Sequence, residues 1–186
     1  MAFWNRSEPS ADRTDYPYSV PETHEVLGTS MHPPFPDDTE HVSFGMGCFW
    51  GAERIFWQLP GVFTTAAGYQ GGTTDYPTYR EVCSADTGHA EVALVVYRPA
   101  EIPFEEILRH FWEQHDPTTL NRQGNDVGPQ YRSVIFVTND EQRRIAEASR
   151  NLYQAKLDEA GYGTITTVIE DFGPFFYAED YHQQYL

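Results

Sequence analysis

The chain has 186 residues, 40% hydrophobic and 15% aromatic, enough to bury one sizeable core and too aromatic for a disordered chain. Its formal net charge is −16 and Lys156 is its only lysine, so the surface repels nucleic acid and anionic membranes. No run of about 18 apolar residues occurs, the N-terminal stretch lacks the apolar core of a secretory signal, and two cysteines build no disulfide framework, so the expectation is one domain in a reducing cytoplasm.

Residues 1–38 carry frequent prolines (Pro9, Pro17, Pro21, Pro33, Pro34, Pro36) and no periodicity. They read as an arm lying on the domain formed by residues 39–186. In 41–46, Val42, Phe44 and Met46 alternate with Ser43 and Gly45, which predicts a strand. Gly47 breaks the alternation. From Cys48, the residues Phe49, Ala52, Phe56 and Leu59 recur at helical spacing until Pro60-Gly61. Residues 62–69 read as a second strand, ahead of the turn-rich Gly71-Gly72-Thr73-Thr74.

Residues 89–97 give the strongest strand signal. Ala90, Val92, Leu94 and Val96 share one face, with Ala93 and Val95 on the other, and apolar residues on both faces imply a central strand. In 103–115, Phe104, Ile107, Leu108, Phe111 and Trp112 mark an amphipathic helix. Pro103 suits its first turn, and Glu105 and Glu106 oppose the positive end of the dipole. A Gly/Asn-rich loop fills 121–130, and a strand follows at 133–137. Thr138-Asn139-Asp140-Glu141 reads as a capping box opening a helix to about Ala160. Gly161 and Gly163 end that helix, and 164–169 read as a last strand.

The chemistry concentrates at Gly47-Cys48-Phe49-Trp50-Gly51, where a strand turns into a helix. Orphan N–H groups and the dipole at a helix start favour a thiolate, which predicts a lowered pKa for Cys48. The flanking glycines let backbone approach a ligand, and Phe49 and Trp50 could wall a small apolar pocket. The plainer reading is a buried cysteine beside two core aromatics. Taken alone, Glu91 reads as a strand-end carboxylate, Tyr79 and Tyr131 as packed tyrosines, and Asp126 as a turn former. The seven histidines show no ligand spacing, so no metal site is expected, and His89 and His182 read as loop-holding hydrogen bonders.

Seven blocks, in order, change this balance. They are Gly47–Gly51, Thr78–Cys83, Thr87–Glu91, His115–Pro117, Arg122–Asp126, Gln130–Ser133 and Tyr177–Gln183. Together they resemble the A-type peptide methionine sulfoxide reductases, over roughly residues 40–186. The resemblance implies an α+β fold: a two-layer α/β sandwich with a mixed, mostly antiparallel sheet and a ferredoxin-like core. It implies reduction of the S-epimer of methionine sulfoxide, free or in proteins. In that scheme Cys48 attacks the sulfoxide sulfur and Glu91 donates a proton to the oxygen. Tyr79 and Tyr131 hydrogen-bond that oxygen, Asp126 supports the polar side, and Phe49 and Trp50 hold the S-methyl group. A sulfoxide sulfur is a poor electrophile until its oxygen is protonated or strongly hydrogen-bonded, so such a site needs a carboxyl still neutral near pH 7.

The resulting sulfenic acid on Cys48 needs a thiol to reduce it. Cys83 is the only other thiol in the sequence and reads as structural. No cofactor is therefore implied beyond an external thiol: thioredoxin, glutaredoxin or a low-molecular-weight thiol. Two rivals share features of this reading. A single-cysteine peroxidase also uses a thiolate, but no Pro-x-x-x-Thr/Ser-x-x-Cys arrangement precedes Cys48. A non-catalytic module binding oxidised peptides through its aromatics would tolerate loss of the thiol.

Overall fold

The computed structural model describes residues 13–84 and 86–186. It is a mixed α/β fold built on a six-stranded sheet. The strands are β1 (Glu40–Met46), β2 (Val62–Gln70), β3 (Ala90–Tyr97), β6 (Ser133–Val137), β7 (Val168–Asp171) and β8 (Phe175–Tyr177), in the spatial order β7-β6-β1-β3-β2-β8. β1 pairs with β3 and β6, and β2 with β3 and β8, all antiparallel; β6 and β7 run parallel. A short hairpin, β4 (Arg122–Gln123) and β5 (Asp126–Val127), stands apart from it. The helices among the described residues are α1 (Phe49–Trp57), α2 (Tyr79–Ser84), α3 (Phe104–Glu113) and α4 (Asp140–Glu159). None of them is long and apolar enough to cross a membrane.

β3 is central and every residue of it is buried. Ala93, Val95 and Tyr97 join Phe44, Ile135 and the apolar stripes of α1 and α3 in the main core. Phe44 stacks on Phe56 at 4.9 Å and lies 5.1 Å from Phe111, so one ring fastens β1 to both helices. Removing a ring of this size from water contributes roughly 1.5–3 kcal/mol. The alternate residues Leu94 and Val96 face the opposite way, toward Met31, Tyr177 and the half-buried Tyr16, Val20 and Phe35. The helices thus cover one face of the sheet, and residues 16–35 cover part of the other.

That covering segment is pinned by polar contacts. Arg13 clasps the Glu81 carboxyl at 2.7 and 2.9 Å, tying it to α2. His24 is fully buried; its Nδ1 accepts the N–H groups of Val26 and Leu27. Its Nε2–H therefore donates to Thr65 Oγ1 at 2.9 Å, and the Thr65 hydroxyl donates to Glu53 Oε1 at 2.9 Å. Burial holds the His24 pKa down, to about 4, which keeps this chain of donors fixed.

Several elements differ from the sequence expectation. The last strand begins at Val168 rather than 164, because the N–H groups of Ile165 and Thr166 go to Gln154 Oε1 and Pro117 O instead of a neighbouring strand. The helix cap sits at Asn139, whose side chain accepts the Gln142 N–H at 2.8 Å, while Gln142 Oε1 reaches back to accept the Thr138 N–H at 2.9 Å. The β4–β5 hairpin lies inside the expected loop, and α2 and β8 were not anticipated. α2 has a readable signal: Thr78 and Glu81 form a capping box, with Glu81 Oε2 accepting the Thr78 N–H at 2.8 Å.

Gly45 sits opposite Val134 in the β1–β6 pairing, with no room for a side chain. A Cβ there would lie 2.6 Å from Val134 Cγ1 and 2.8 Å from the Arg132 carbonyl oxygen. Backbone cannot yield cheaply in a close-packed sheet. Gly45→Ala is expected to lower the stability by about 1–3 kcal/mol, measured by urea denaturation. An unchanged midpoint would show that this approach is not tight.

Candidate active site

β1 ends at Met46, and Gly47 then takes φ +89, a left-handed conformation that glycine adopts without strain. Its Cα faces the hairpin, since a Cβ would come within 2.6 Å of the Gln123 side chain. The chain reverses there and Cys48 becomes the N-cap of α1. Its side chain is half-buried. No hydrogen bond from it caps the helix, yet the N–H groups of Trp50 and Gly51 lie close enough to favour a thiolate.

Those amides do not prevail. Burial is the largest influence and pushes the Cys48 thiol above its ordinary pKa, helped by the nearby carboxyls of Glu91 and Asp126. The lowered pKa expected from a helix start is thereby corrected. The half-buried position and two acidic neighbours outweigh the amides and the dipole, and the resting sulfur keeps its proton.

Glu91 is the second residue of β3 and points to the same side as Ala93 and Val95, toward α1. It is 1% exposed, far from the solvated strand-end carboxylate that its sequence alone suggests. Its Oε2 accepts the Phe49 N–H at 3.1 Å, directly beside Cys48. Burial raises the Glu91 pKa to about 8, the Phe49 N–H pulls it down, and Asp126 pushes it up. At neutral pH the carboxyl is mostly protonated.

The remaining expected residues converge from three loops. Tyr79 opens α2, Tyr131 closes a short 3-10 turn at Pro129–Tyr131, and Asp126 lies exposed in the β4–β5 hairpin. The Tyr131 pKa is raised to about 12 by burial and by Glu91, Cys83, Asp126 and Cys48, so its hydroxyl stays a donor within electrostatic reach of all four. Burial likewise raises Tyr79 well above the ordinary phenol range, with Cys83, Glu91 and Tyr131 adding to it. The Cys83 thiol beside the Tyr79 hydroxyl is the largest influence on it after burial. Cys83 is exposed near the end of α2 and belongs to none of the core clusters among the described residues.

Phe49 is buried, with Tyr69 at 5.7 Å and His182 at 5.1 Å, while Trp50 is half-buried and stacks on Tyr185 at 4.0 Å. Sequence reasoning assigned nothing to Glu179. It lies beneath these rings, 4% exposed, accepting the Tyr69 hydroxyl at 2.8 Å and the Tyr79 N–H at 2.7 Å. Glu53 was missed too. Gln184 donates to it from both backbone and side chain, which anchors the 178–184 segment on α1. Glu53 is the i+3 neighbour of Trp50, and a charged residue among the apolar positions of a helix was the available signal. His89 holds the turn at 71–74 as expected, accepting the Gly72 N–H and meeting Thr74 O at 2.7 Å. Among the described residues no group of three or more His, Cys, Asp and Glu could hold a metal ion.

A family model for peptide methionine sulfoxide reductase matches residues 40–186. The peptide methionine sulfoxide reductase MsrA of Rhodospirillum centenum (strain ATCC 51521 / SW) is 59% identical over 170 residues, which is 91% of this chain and 78% of that protein. Among solved structures, methionine sulfoxide reductase A of Corynebacterium diphtheriae superposes with a TM-score of 0.84 at 42% identity, covering 96% of this chain and 86% of that one. Reduced Mxr1 from Saccharomyces cerevisiae gives 0.77 at 34% identity over 86% of this chain and 91% of its own. The same yeast protein in complex with Trx2 shares the fold at 23% identity and a TM-score of 0.58. The match across residues 40–186 and the identity to MsrA relatives over most of the chain place this protein in the peptide methionine sulfoxide reductase family, a group of oxidoreductases.

Proposed function

We propose that Cys48 takes the oxygen of a methionine S-sulfoxide, with Glu91 as the proton donor. The observation that carries this is a buried carboxyl, half-titrated only near pH 8, bonded to the N–H beside the sulfur. Tyr131 and Tyr79 supply hydroxyl donors to the sulfoxide oxygen, Tyr79 turning to it from Cys83. Asp126 flanks the polar side from the hairpin. Phe49 and Trp50 receive the S-methyl group.

Both Cys48 and Glu91 rest in their neutral forms, so the step avoids separating charge in a dry pocket. The thiol attacks sulfur as its proton leaves and the sulfoxide oxygen gains one from Glu91, whose carboxylate is reprotonated by the proton shed by Cys48. The S–S bond formed in that attack breaks as the hydroxyl passes from the substrate sulfur to Cys48, so one S–O bond breaks at the substrate, one forms at Cys48, and the thioether leaves. The sum is thiol plus sulfoxide giving sulfenic acid plus thioether. Two external thiols then reduce the sulfenic acid to thiol, releasing water and a disulfide. Thioredoxin leads as the reductant because a yeast relative is solved with Trx2. Glutaredoxin and low-molecular-weight thiols perform the same exchange.

Two structural readings belong with this one. Of the expected arm over residues 1–38, residues 1–12 lie outside the described residues; residues 13–38 form an arm on the catalytic domain of residues 39–186, and the contacts of Arg13, His24 and Met31 support its packing. The core is ferredoxin-like, supported by the strand order β6-β1-β3-β2 with α1 and α3 on one side.

Cys48→Ser should abolish reduction of a methionine S-sulfoxide peptide with dithiothreitol; residual turnover would remove Cys48 from the reaction. Glu91→Ala should slow oxygen transfer by about 10²–10⁴-fold. Glu91→Gln should lose less, because an amide still donates a hydrogen bond; equal single-turnover rates for the two would refute the donor role. A stability test isolates the same group. The folded-state pKa of Glu91 is raised above its unfolded value of about 4.5, so the native state holds a proton that the unfolded chain gives up. Its contribution is present below pH 4.5 and is lost as pH rises through about 8. Glu91→Gln should therefore gain stability over the wild type between pH 5 and pH 8.5 by a few kcal/mol, in urea titrations at both values. A constant difference at the two values would mean that Glu91 titrates as an ordinary carboxyl.

A further inference from the structure

Trp50 donates its indole N–H to Nδ1 of His182 at 3.0 Å. An indole nitrogen only donates, so this Nδ1 is bare and the neutral imidazole carries its proton on Nε2. Nε2 is buried without a hydrogen-bond partner among the described residues, and Glu179 Oε2 lies 3.7 Å away. Glu179 is in turn fixed by Tyr69 and by the N–H of Tyr79. The His182 ring touches Phe49, Trp50 and Tyr79, with centroids at 5.1, 5.7 and 4.6 Å. One imidazole therefore contacts both aromatic walls and one of the hydroxyl donors.

An indole held only by ring contacts can tilt about its side-chain torsions. One directed hydrogen bond from its edge removes that freedom. With Phe49 and Trp50 read as the walls that receive the S-methyl group, the tilt of this ring sets the width of the slot between them. We propose that His182 is a specificity-determining positioning residue: its Nδ1 locks the Trp50 indole so that the slot accepts an S-methyl group and rejects longer S-alkyl groups. This rests on the reading of Trp50 as a wall of the substrate pocket.

The test compares kcat/KM for methionine sulfoxide and ethionine sulfoxide. His182→Phe keeps a ring but loses the acceptor; His182→Asn places an amide oxygen near the position of Nδ1. One methylene in an apolar pocket is worth about 10–200-fold, so the methyl-over-ethyl ratio should fall at least about fivefold in His182→Phe and stay within about twofold of wild type in His182→Asn. A wild-type ratio in His182→Phe, or the same ratio in both variants, overturns the proposal. Trp50→Ala separates the two levels. If it shifts the ratio while His182→Phe does not, His182 alone is refuted; if neither shifts it, the wall assignment falls as well. Should His182→Phe fail to fold, nitrogen-15 NMR of the unaltered protein decides. An unprotonated Nδ1 on His182, with a Trp50 indole proton protected from exchange, supports the lock, and a proton on Nδ1 overturns it.

Discussion

The bond from the Phe49 N–H to the Glu91 carboxyl, 3.1 Å long, joins the two halves of the site. One partner is an orphan amide at the start of a helix, which needs an acceptor. The other is a side chain sealed inside the central strand, which needs a donor. Each satisfies the other, and together they fix where the sulfur of Cys48 sits relative to an acid. Much of the surrounding structure serves this contact. Phe44 clamps β1 to α1 and α3, Gly47 permits the reversal, and the Ala93–Val95 face of β3 sets the direction of Glu91.

The same contact explains why the acid is weak. With one amide donor, and no cation beside it among the described residues, a Glu91 carboxylate is poorly compensated for lost water. Its proton therefore stays on at neutral pH. Cys48 obeys the same rule, and the amides of Trp50 and Gly51 soften the effect without reversing it. A neutral thiol beside a neutral acid is suited to a neutral, polar substrate such as a sulfoxide. Glu91, Glu53 and Glu179 are each enclosed and each met by hydrogen-bond donors.

Much of the architecture was legible in the sequence. The period-2 run of β3 and the helical stripe of α3 reflect deep burial, which leaves strong patterns. What escaped was short or locally overridden. α2 is six residues long and β8 three, too few for periodicity. The start of β7 was misplaced because Gln154 and Pro117 intercept the amides that a ladder would use. At the site, the motif resemblance pointed to residues that geometry brings within electrostatic reach. The state of the thiol was not legible, since a helix start says nothing about how deeply its cap is buried. Nor were the supports Glu179 and Glu53 visible, nor the partner of His182: these residues act through partners a hundred or more residues away in sequence.

Gln183 shows what that distance entails. Its side-chain amide accepts the Ala67 N–H and donates to the Ala67 and Ala178 carbonyls, so one side chain pairs backbone as a strand would. Gln184 and His182 fasten the same stretch to α1. These residues directly follow β8, the strand that borders β2 at one edge of the sheet. The aromatic wall beside the sulfur is therefore held by a stretch far along the chain from the helix that carries it, and it forms only when that stretch docks. Until then the thiol of Cys48 stands without the enclosure that disciplines it.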